Sequence, residues 1–342
     1  MTQLVELQEA LPKFEAAGIR LYAVSYDLPH ELAAFARAHD ITYPMLCDKG
    51  SKMIRRLGIL NHHVTREQVP YHGIPFPGTY LLDEDGVVVE QLFHRSVAER
   101  ESPESMVDKS LGEILLGEGE PSGAGGDDDI RVSATYHGGG GTLKAGVRRE
   151  IVVRFDLADG LHIYDDPVPE GMVATRIRVE GPEGLHVEAV RKPPTHPLSL
   201  AGLDTTLAVW DGRVDFVVPV RADDRIVGLM DEIPEDDITV DVHVDYQACD
   251  DAACRIPKTE TLTLRVPVAP YVGHLMTGAM PGAVISDMPS QELMMAKLRR
   301  SLWRSPIKGL RYVRETIARV REGPSRQRAM EGLRAHRPRD SE

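Results

Sequence analysis

The sequence predicts an α/β domain followed by an all-β sandwich and then a helical, basic tail. Three observations carry this. At 342 residues the chain exceeds one ordinary core, and two domains of roughly 100–150 residues are expected. Helical and extended patterns alternate over residues 1–116, whereas residues 130–268 read as short period-2 strands. Between them lies GEGEPSGAGGDDD, residues 117–129, a composition that buries too little apolar area to order itself and reads as a flexible linker.

Within the first region, Leu4, Leu7, Leu11 and Phe14 fall three or four apart, one apolar helix face, and Gly18 ends it. Residues 19–26 (IRLYAVSY) are extended, 29–39 helical and 43–46 extended again. A short helix follows at 52–57. Strands at 79–82 and 87–93 flank Asp83-Glu-Asp-Gly86 as a hairpin, and a helix over 104–116 closes the domain. Beyond the linker, strands are expected at 130–136, 149–157, 175–180, 214–220, 238–246 and 259–266, separated by Gly, Pro and Asp turns. With no helical runs between them, an antiparallel sandwich is the expected packing. From Ser290 to about Arg321 the pattern is helical and basic, within a tail running from 269 to 342.

The formal charge of −13 and a pI near 5.5 exclude an extended nucleic-acid surface, which needs a positive face. No run reaches the roughly 18–20 apolar residues of a membrane helix. Residues 291–342 hold 14 Lys/Arg against 6 Asp/Glu, so a tail near +8 follows a body near −21. It reads as a solvated helix or as a dock for an acidic surface. The N-terminus, MTQLVELQE, has neither the basic nor the apolar region of a signal peptide. As the chain stands it is expected in the cytoplasm.

The order helix, strand, helix, strand, helix, hairpin, helix over 1–116 resembles the redoxin branch of the thioredoxin-like fold, which includes peroxiredoxins and thiol-specific antioxidant proteins. The most specific segment is Gly73-Ile-Pro-Phe-Pro-Gly-Thr-Tyr-Leu-Leu-Asp-Glu-Asp-Gly86. The resemblance implies that Pro77 is a cis-proline beside the active site, with Thr79 in support; otherwise Pro75 and Pro77 only precede an edge strand. It also implies a cysteine at the N-terminus of the first helix, preceded by a central strand. Here that helix starts at Met1, so the strand and the cysteine are absent from the chain. A start at an internal methionine and a natural remnant both stay open; the former leaves a periplasmic location open too. Cys47 sits at a strand end rather than a helix N-terminus, with nothing to lower its pKa, and is expected to pack. His62, His63 and His72 lack the partners of a metal site and read as loop histidines.

Three cysteines are too few for a disulfide scaffold. Cys249 and Cys254 lie in Val244-Asp-Tyr-Gln-Ala-Cys-Asp-Asp-Ala-Ala-Cys-Arg-Ile-Pro257, between two predicted strands, so a hairpin connection can bring them within disulfide reach. Closing so small a ring stabilises by only about 2 kcal/mol, which favours redox exchange over a staple. Tyr246-Gln-Ala-Cys249, Cys254-Arg-Ile-Pro257 and Gly160-Leu-His-Ile-Tyr164 resemble the N-terminal domain of thiol:disulfide interchange protein DsbD, an immunoglobulin-like sandwich that passes electrons through two cysteines. That resemblance implies one attacking and one resolving cysteine, without indicating which, and a cap over the pair from residues 193–207. Tyr246 and Asp245 would support the pair. Asp245, Asp250 and Asp251 disfavour a thiolate unless Arg255 compensates.

The expected function is that of a thiol-disulfide oxidoreductase or antioxidant protein in which the sandwich relays electrons to the redoxin domain or to a partner. The flexible linker would raise the effective concentration of the two. The partner would be a thioredoxin-like or DsbD-like reductant; no cofactor, metal, nucleic acid or transmembrane segment is expected. The alternative is a non-catalytic interaction module with a structural disulfide, and a third is metal handling by the thiols and a histidine such as His243.

Overall fold

The structure, a computed structural model, describes residues 2–62, 64, 73–93, 100–144, 147–199, 206–223, 226, 237–250 and 253–269. The basic tail beyond 269, with its expected helices, lies outside them, as do His63, His72 and Asp251.

The N-terminal segment follows the predicted alternation: α1 (Thr2–Glu9), α2 (Leu11–Ala16), β1 (Ala23–Ser25), α3 (Pro29–Ala38), β2 (Met45–Cys47), α4 (Lys52–Arg56), β3 (Gly78–Leu82), β4 (Val88–Phe93) and α5 (Pro103–Leu111). The single helix expected over 4–17 is two, broken at Ala10, because Pro12 lacks an N–H and is tolerated only in the first turn of a helix. Helix α5 ends at Leu111 instead of 116, where Gly112 turns left-handed at φ 68°. At its other end the Ser102 hydroxyl accepts the Ser105 N–H at 3.1 Å. β1 and β2 pair in parallel, β3 and β4 antiparallel, and no ladder joins the two pairs among the described residues. Leu7, Phe14, Ile41, Tyr43, Leu92 and Met106 form the core between them.

The rest is antiparallel sheet: β5 (Ser122–Gly126), β6 (Ile130–His137), β7 (Arg149–Leu157), β8 (His162–Tyr164), β9 (Arg176–Glu180), β10 (Leu185–Val187), β11 (His196–Ser199), β12 (Thr206–Asp211), β13 (Arg213–Ala222), β14 (Asp237–Tyr246), β15 (Ala248–Cys249) and β16 (Lys258–Pro267). They form sheets of order β10-β13-β7-β6-β5, β11-β12-β8-β15 and β16-β14-β9. The period-2 pattern decides which side chains enter the core. On β14, Ile238, Val240, Val242, Val244 and Tyr246 are buried, and they meet Val153, Phe155, Phe216, Val218 and Leu264 in one apolar core. The sandwich predicted from the alternating strands is present.

The linker is not. Residues 122–126 form β5, paired with β6 from Ser122↔Thr135 to Gly126↔Arg131. Glycine permits this because β5 lies directly on β16: a Cβ at Gly123 would sit 3.3 Å from the Thr263 carbonyl oxygen and one at Gly125 2.8 Å from Glu260 Oε2. The acidic run after it forms the turn, with Asp127 Oδ1 accepting the N–H groups of Asp129 and Ile130 at 3.0 and 2.9 Å.

The two parts meet through buried polar contacts. The Arg148 N–H donates to the Arg100 carbonyl at 2.8 Å. Fully buried Arg149 reaches Glu6 of α1 at 3.3 Å, and Lys144 reaches the same carboxylate at 2.8 Å. His137, at the end of β6, lies between Asp108 of α5 and Glu120. Burial alone would lower the His137 pKa, but the two carboxylates outweigh it and lift it to about 10. The segments are therefore docked rather than tethered.

Candidate functional site

Cys249 and Cys254 are joined at 2.05 Å. Local hydrogen bonding shapes the loop that carries them. The Asp250 N–H donates to the Ala253 carbonyl at 3.0 Å, the Asp250 carboxylate accepts the Ala253 N–H at 2.8 Å, and the Arg255 N–H donates to the Ala248 carbonyl at 2.9 Å. Gln247 braces the loop from below: its amide donates to the Arg255 carbonyl and its oxygen accepts the Val173 N–H, both at 2.9 Å. The two sulfurs differ in environment. Cys249 is 1% exposed, packed with Tyr164, Leu207 and Val209 and covered by Val168, Met172 and Leu198. Cys254 is exposed, and two residues on Ile256 is 85% exposed.

The acidic residues near the pair are occupied locally. Asp245 accepts the Thr259 hydroxyl at 2.6 Å. Arg255, the expected counter-charge, instead binds Asp129 at 2.8 Å, and Lys258 binds Asp127 at 2.6 Å, tying the loop to the β5–β6 turn. The Lys258 bond, with help from backbone donors, holds the Asp127 pKa below the usual range.

The hairpin β11–β12 supplies what residues 193–207 were expected to supply, since Leu198 and Leu207 both pack around Cys249; residues 200–205 lie outside the description. Tyr246 is buried, but in the main core against Phe155 at 5.4 Å, apart from the cluster around Cys249. Pro77 and Thr79 lie in the N-terminal segment, Thr79 opposite Leu92 on β4. Contrary to the expectation for Pro77, the one cis X-Pro bond among the described residues is Asp166–Pro167; Pro77 directly precedes β3. Cys47 is a half-buried free thiol at the end of β2. His243 lies on β14 opposite Arg178 and Thr261, and no three metal-ligating side chains cluster among the described residues. The residue that sequence reading passed over is His162, the cross-strand neighbour of Cys249. Alternation in His162-Ile-Tyr164 puts both rings on one face, but the pairing of β8 with β15 is not visible in a sequence.

The order of the N-terminal elements and the hairpin-borne pair on a sandwich agree with the comparisons. Residues 1–91 match the AhpC/TSA family, and residues 142–266 match the family "Thiol:disulfide interchange protein DsbD, N-terminal". The chain joins a segment that matches the redoxin family to one that matches the DsbD N-terminal family. The first match lies within the α/β segment and ends before α5, and the second includes the disulfide. Among curated proteins, the thiol-disulfide oxidoreductase ResA of Bacillus thuringiensis subsp. konkukian is 26% identical over 88 residues, which is 25% of this chain and 42% of ResA. Chloroplastic peroxiredoxin Q of Gentiana triflora is 28% identical over 109 residues, 32% of this chain and 45% of that protein. The chain thus spans under half the length of each. The N-terminal periplasmic domain of ScsB from Proteus mirabilis is similar at 19% identity and a TM-score of 0.29, over 42% of this chain and 51% of that one. The reduced N-terminal domain of Neisseria meningitidis DsbD is similar at 14% identity and a TM-score of 0.23, over 43% and 85%. Among the described residues no helix is long and apolar enough to cross a membrane.

Proposed function

We propose that the chain is a thiol-disulfide carrier of the antioxidant type, in which the 249–254 disulfide takes electrons from a partner dithiol and passes them on. The carrying observation is the asymmetry of the pair, one sulfur open to solvent and the other sealed under apolar side chains. Cys254 is then the sulfur that meets partners, as thiolate when reduced and as the atom attacked when oxidised, and Cys249 resolves the mixed disulfide. The partner is a thioredoxin-like or DsbD-like protein whose surface fits around the exposed Cys254 and Ile256.

Electron exchange between the redoxin and the sandwich of one copy is disfavoured. The α5 contact, Ser105 to Glu150, sits at one end of β7, and the connector after α5 reaches on to Arg154, whose side chain donates to the Ile114 carbonyl at 3.3 Å, whereas β8 and the pair follow the Leu157 end. Seven residues of strand, roughly 23 Å, separate the α5 contact at Glu150 from that end. Exchange therefore runs to a separate molecule. A disulfide of this kind persists in an oxidising compartment such as the periplasm.

Reduction of the full chain by thioredoxin tests the function. A reduction potential above about −300 mV and a mixed disulfide trapped at Cys254 in the Cys249→Ser variant are expected; a potential below that value points to the structural-disulfide alternative.

A further inference from the structure

Three adjacent strands set three side chains in a row. The register places Asp211 of β12 opposite His162 of β8, and His162 opposite Cys249 of β15. Directly opposed residues in antiparallel pairs share a face, with Cβ atoms about 4.5–5.5 Å apart. Here that face is the one turned away from the main core. Ile163 and Ala248, the opposed pair next along, both enter that core, whereas Tyr164 and Cys249 belong to the separate apolar cluster on the other side. His162 is 5% exposed, and its Nε2 lies 2.8 Å from the Tyr164 hydroxyl.

The placement matters for the chemistry. When a partner thiolate attacks Cys254 Sγ, a new S–S bond forms, the 249–254 bond breaks, and Cys249 departs with the electron pair. The thiolate is left in an apolar enclosure that penalises charge. A second thiolate of the partner then attacks the partner's own sulfur in the mixed disulfide and expels Cys254. The partner ends as a disulfide, Cys249 and Cys254 as thiols, and the two protons of the partner dithiol must reach them. Cys254 takes its proton from solvent; buried Cys249 needs a group inside.

We propose that His162 is the acid–base partner of Cys249, protonating it as the disulfide opens and accepting the proton as it closes; this deepens, and rests on, the carrier reading above. Imidazole is suited to the task because it exchanges a proton near neutral pH. Tyr164 engages the ring through Nε2, and Asp211 is its cross-strand neighbour on β12. Among the described residues, the other titratable groups on or beside these strands are Asp250 beside Cys249, Asp165 after β8, which pairs with Lys192, and His196 of β11, which pairs with Asp211 at 3.2 Å.

The test uses the full chain. In the Cys47→Ser, Cys254→Ser double variant, ultraviolet titration of the thiolate reads Cys249 as the one cysteine left; adding His162→Gln is expected to raise its midpoint by about one unit. In the chain with both cysteines, His162→Gln is expected to slow reduction by thioredoxin about tenfold at pH 7, the rate equivalent of that unit, and to remove the near-neutral limb of the pH–rate profile. Tyr164→Phe, which deletes only a hydroxyl, should shift that limb and serves if His162→Gln does not fold. An unchanged Cys249 titration together with an unchanged pH profile would overturn the proposal. Failure of the unsubstituted chain to exchange with thioredoxin sinks the carrier reading instead, so the two failures are distinguishable.

Discussion

His137 and Asp108 join the redoxin to the sandwich: the imidazole Nε2 on β6 lies 2.8 Å from the carboxylate on α5, while Nδ1 is held 2.9 Å from Glu120. All three side chains are buried, so the charged imidazole is paid for only while both carboxylates face it. Breaking a buried pair by removing one partner costs about 3–5 kcal/mol. His137→Gln should lower the unfolding free energy by an amount in that range, read from the shift of the denaturant midpoint, and expose the α5–β6 contact to proteases.

The same histidine sets a pH dependence. Its folded pKa, about 10, stands above the ordinary 6.5, so its contribution is complete below pH 6.5 and is lost as pH rises through 10. The stability difference between the unsubstituted chain and His137→Gln should therefore be largest just below pH 6.5 and shrink as pH rises toward 10. Glu120 is held below the usual carboxylate range: burial opposes this, but the His137 bond outweighs it. Its contribution fades instead as pH falls through its lowered value. Denaturation at a series of pH values measures both limbs, and a flat difference would contradict the assignment.

Gly126 closes β5 with φ 96°, and a Cβ there would overlap the Ile130 carbonyl oxygen. Both the left-handed backbone and the clash with main chain penalise a side chain. Gly126→Ala is expected to cost about 2–3 kcal/mol, and hydrogen exchange should show β5 opening ahead of β6.

Cys254 is exposed and Cys249 is 1% exposed. After reduction, brief treatment with an alkylating agent should label Cys254 at least about tenfold faster than Cys249, since reactivity follows access and thiolate character. Peptide mass spectrometry reads the ratio. Equal labelling would place both sulfurs in the same environment and contradict the packing around Cys249.

Gln247→Ala removes the amide that holds the Val173 N–H and the Arg255 carbonyl. Leaving those partners unpaired should cost about 1–3 kcal/mol. The loosened loop should also let small dithiols reduce the disulfide faster, which stopped-flow measurements would follow.

Much of the architecture was legible because it is written in local periodicity. Alternation from Ile238 to Tyr246 identified β14 without any knowledge of its partners, and the Asp83–Gly86 turn identified a hairpin. Gly123 to Gly126 misled for a physical reason: a glycine run has the composition of a linker, and only the closeness of β16 makes that composition a requirement of a strand. Pro77 misled because a family motif was matched while the neighbours that would shape it were not in view.

By itself the sequence determined that an α/β segment precedes an antiparallel sandwich, and that two cysteines lie on a connection between strands. These follow from spacing along the chain. Which sulfur faces solvent, the row Asp211, His162 and Cys249, and the docking of α5 at the Glu150 end of β7 were decided by the tertiary structure. Each depends on register between strands distant in sequence, and register is set by how whole faces bury against one another rather than by any short run of residues.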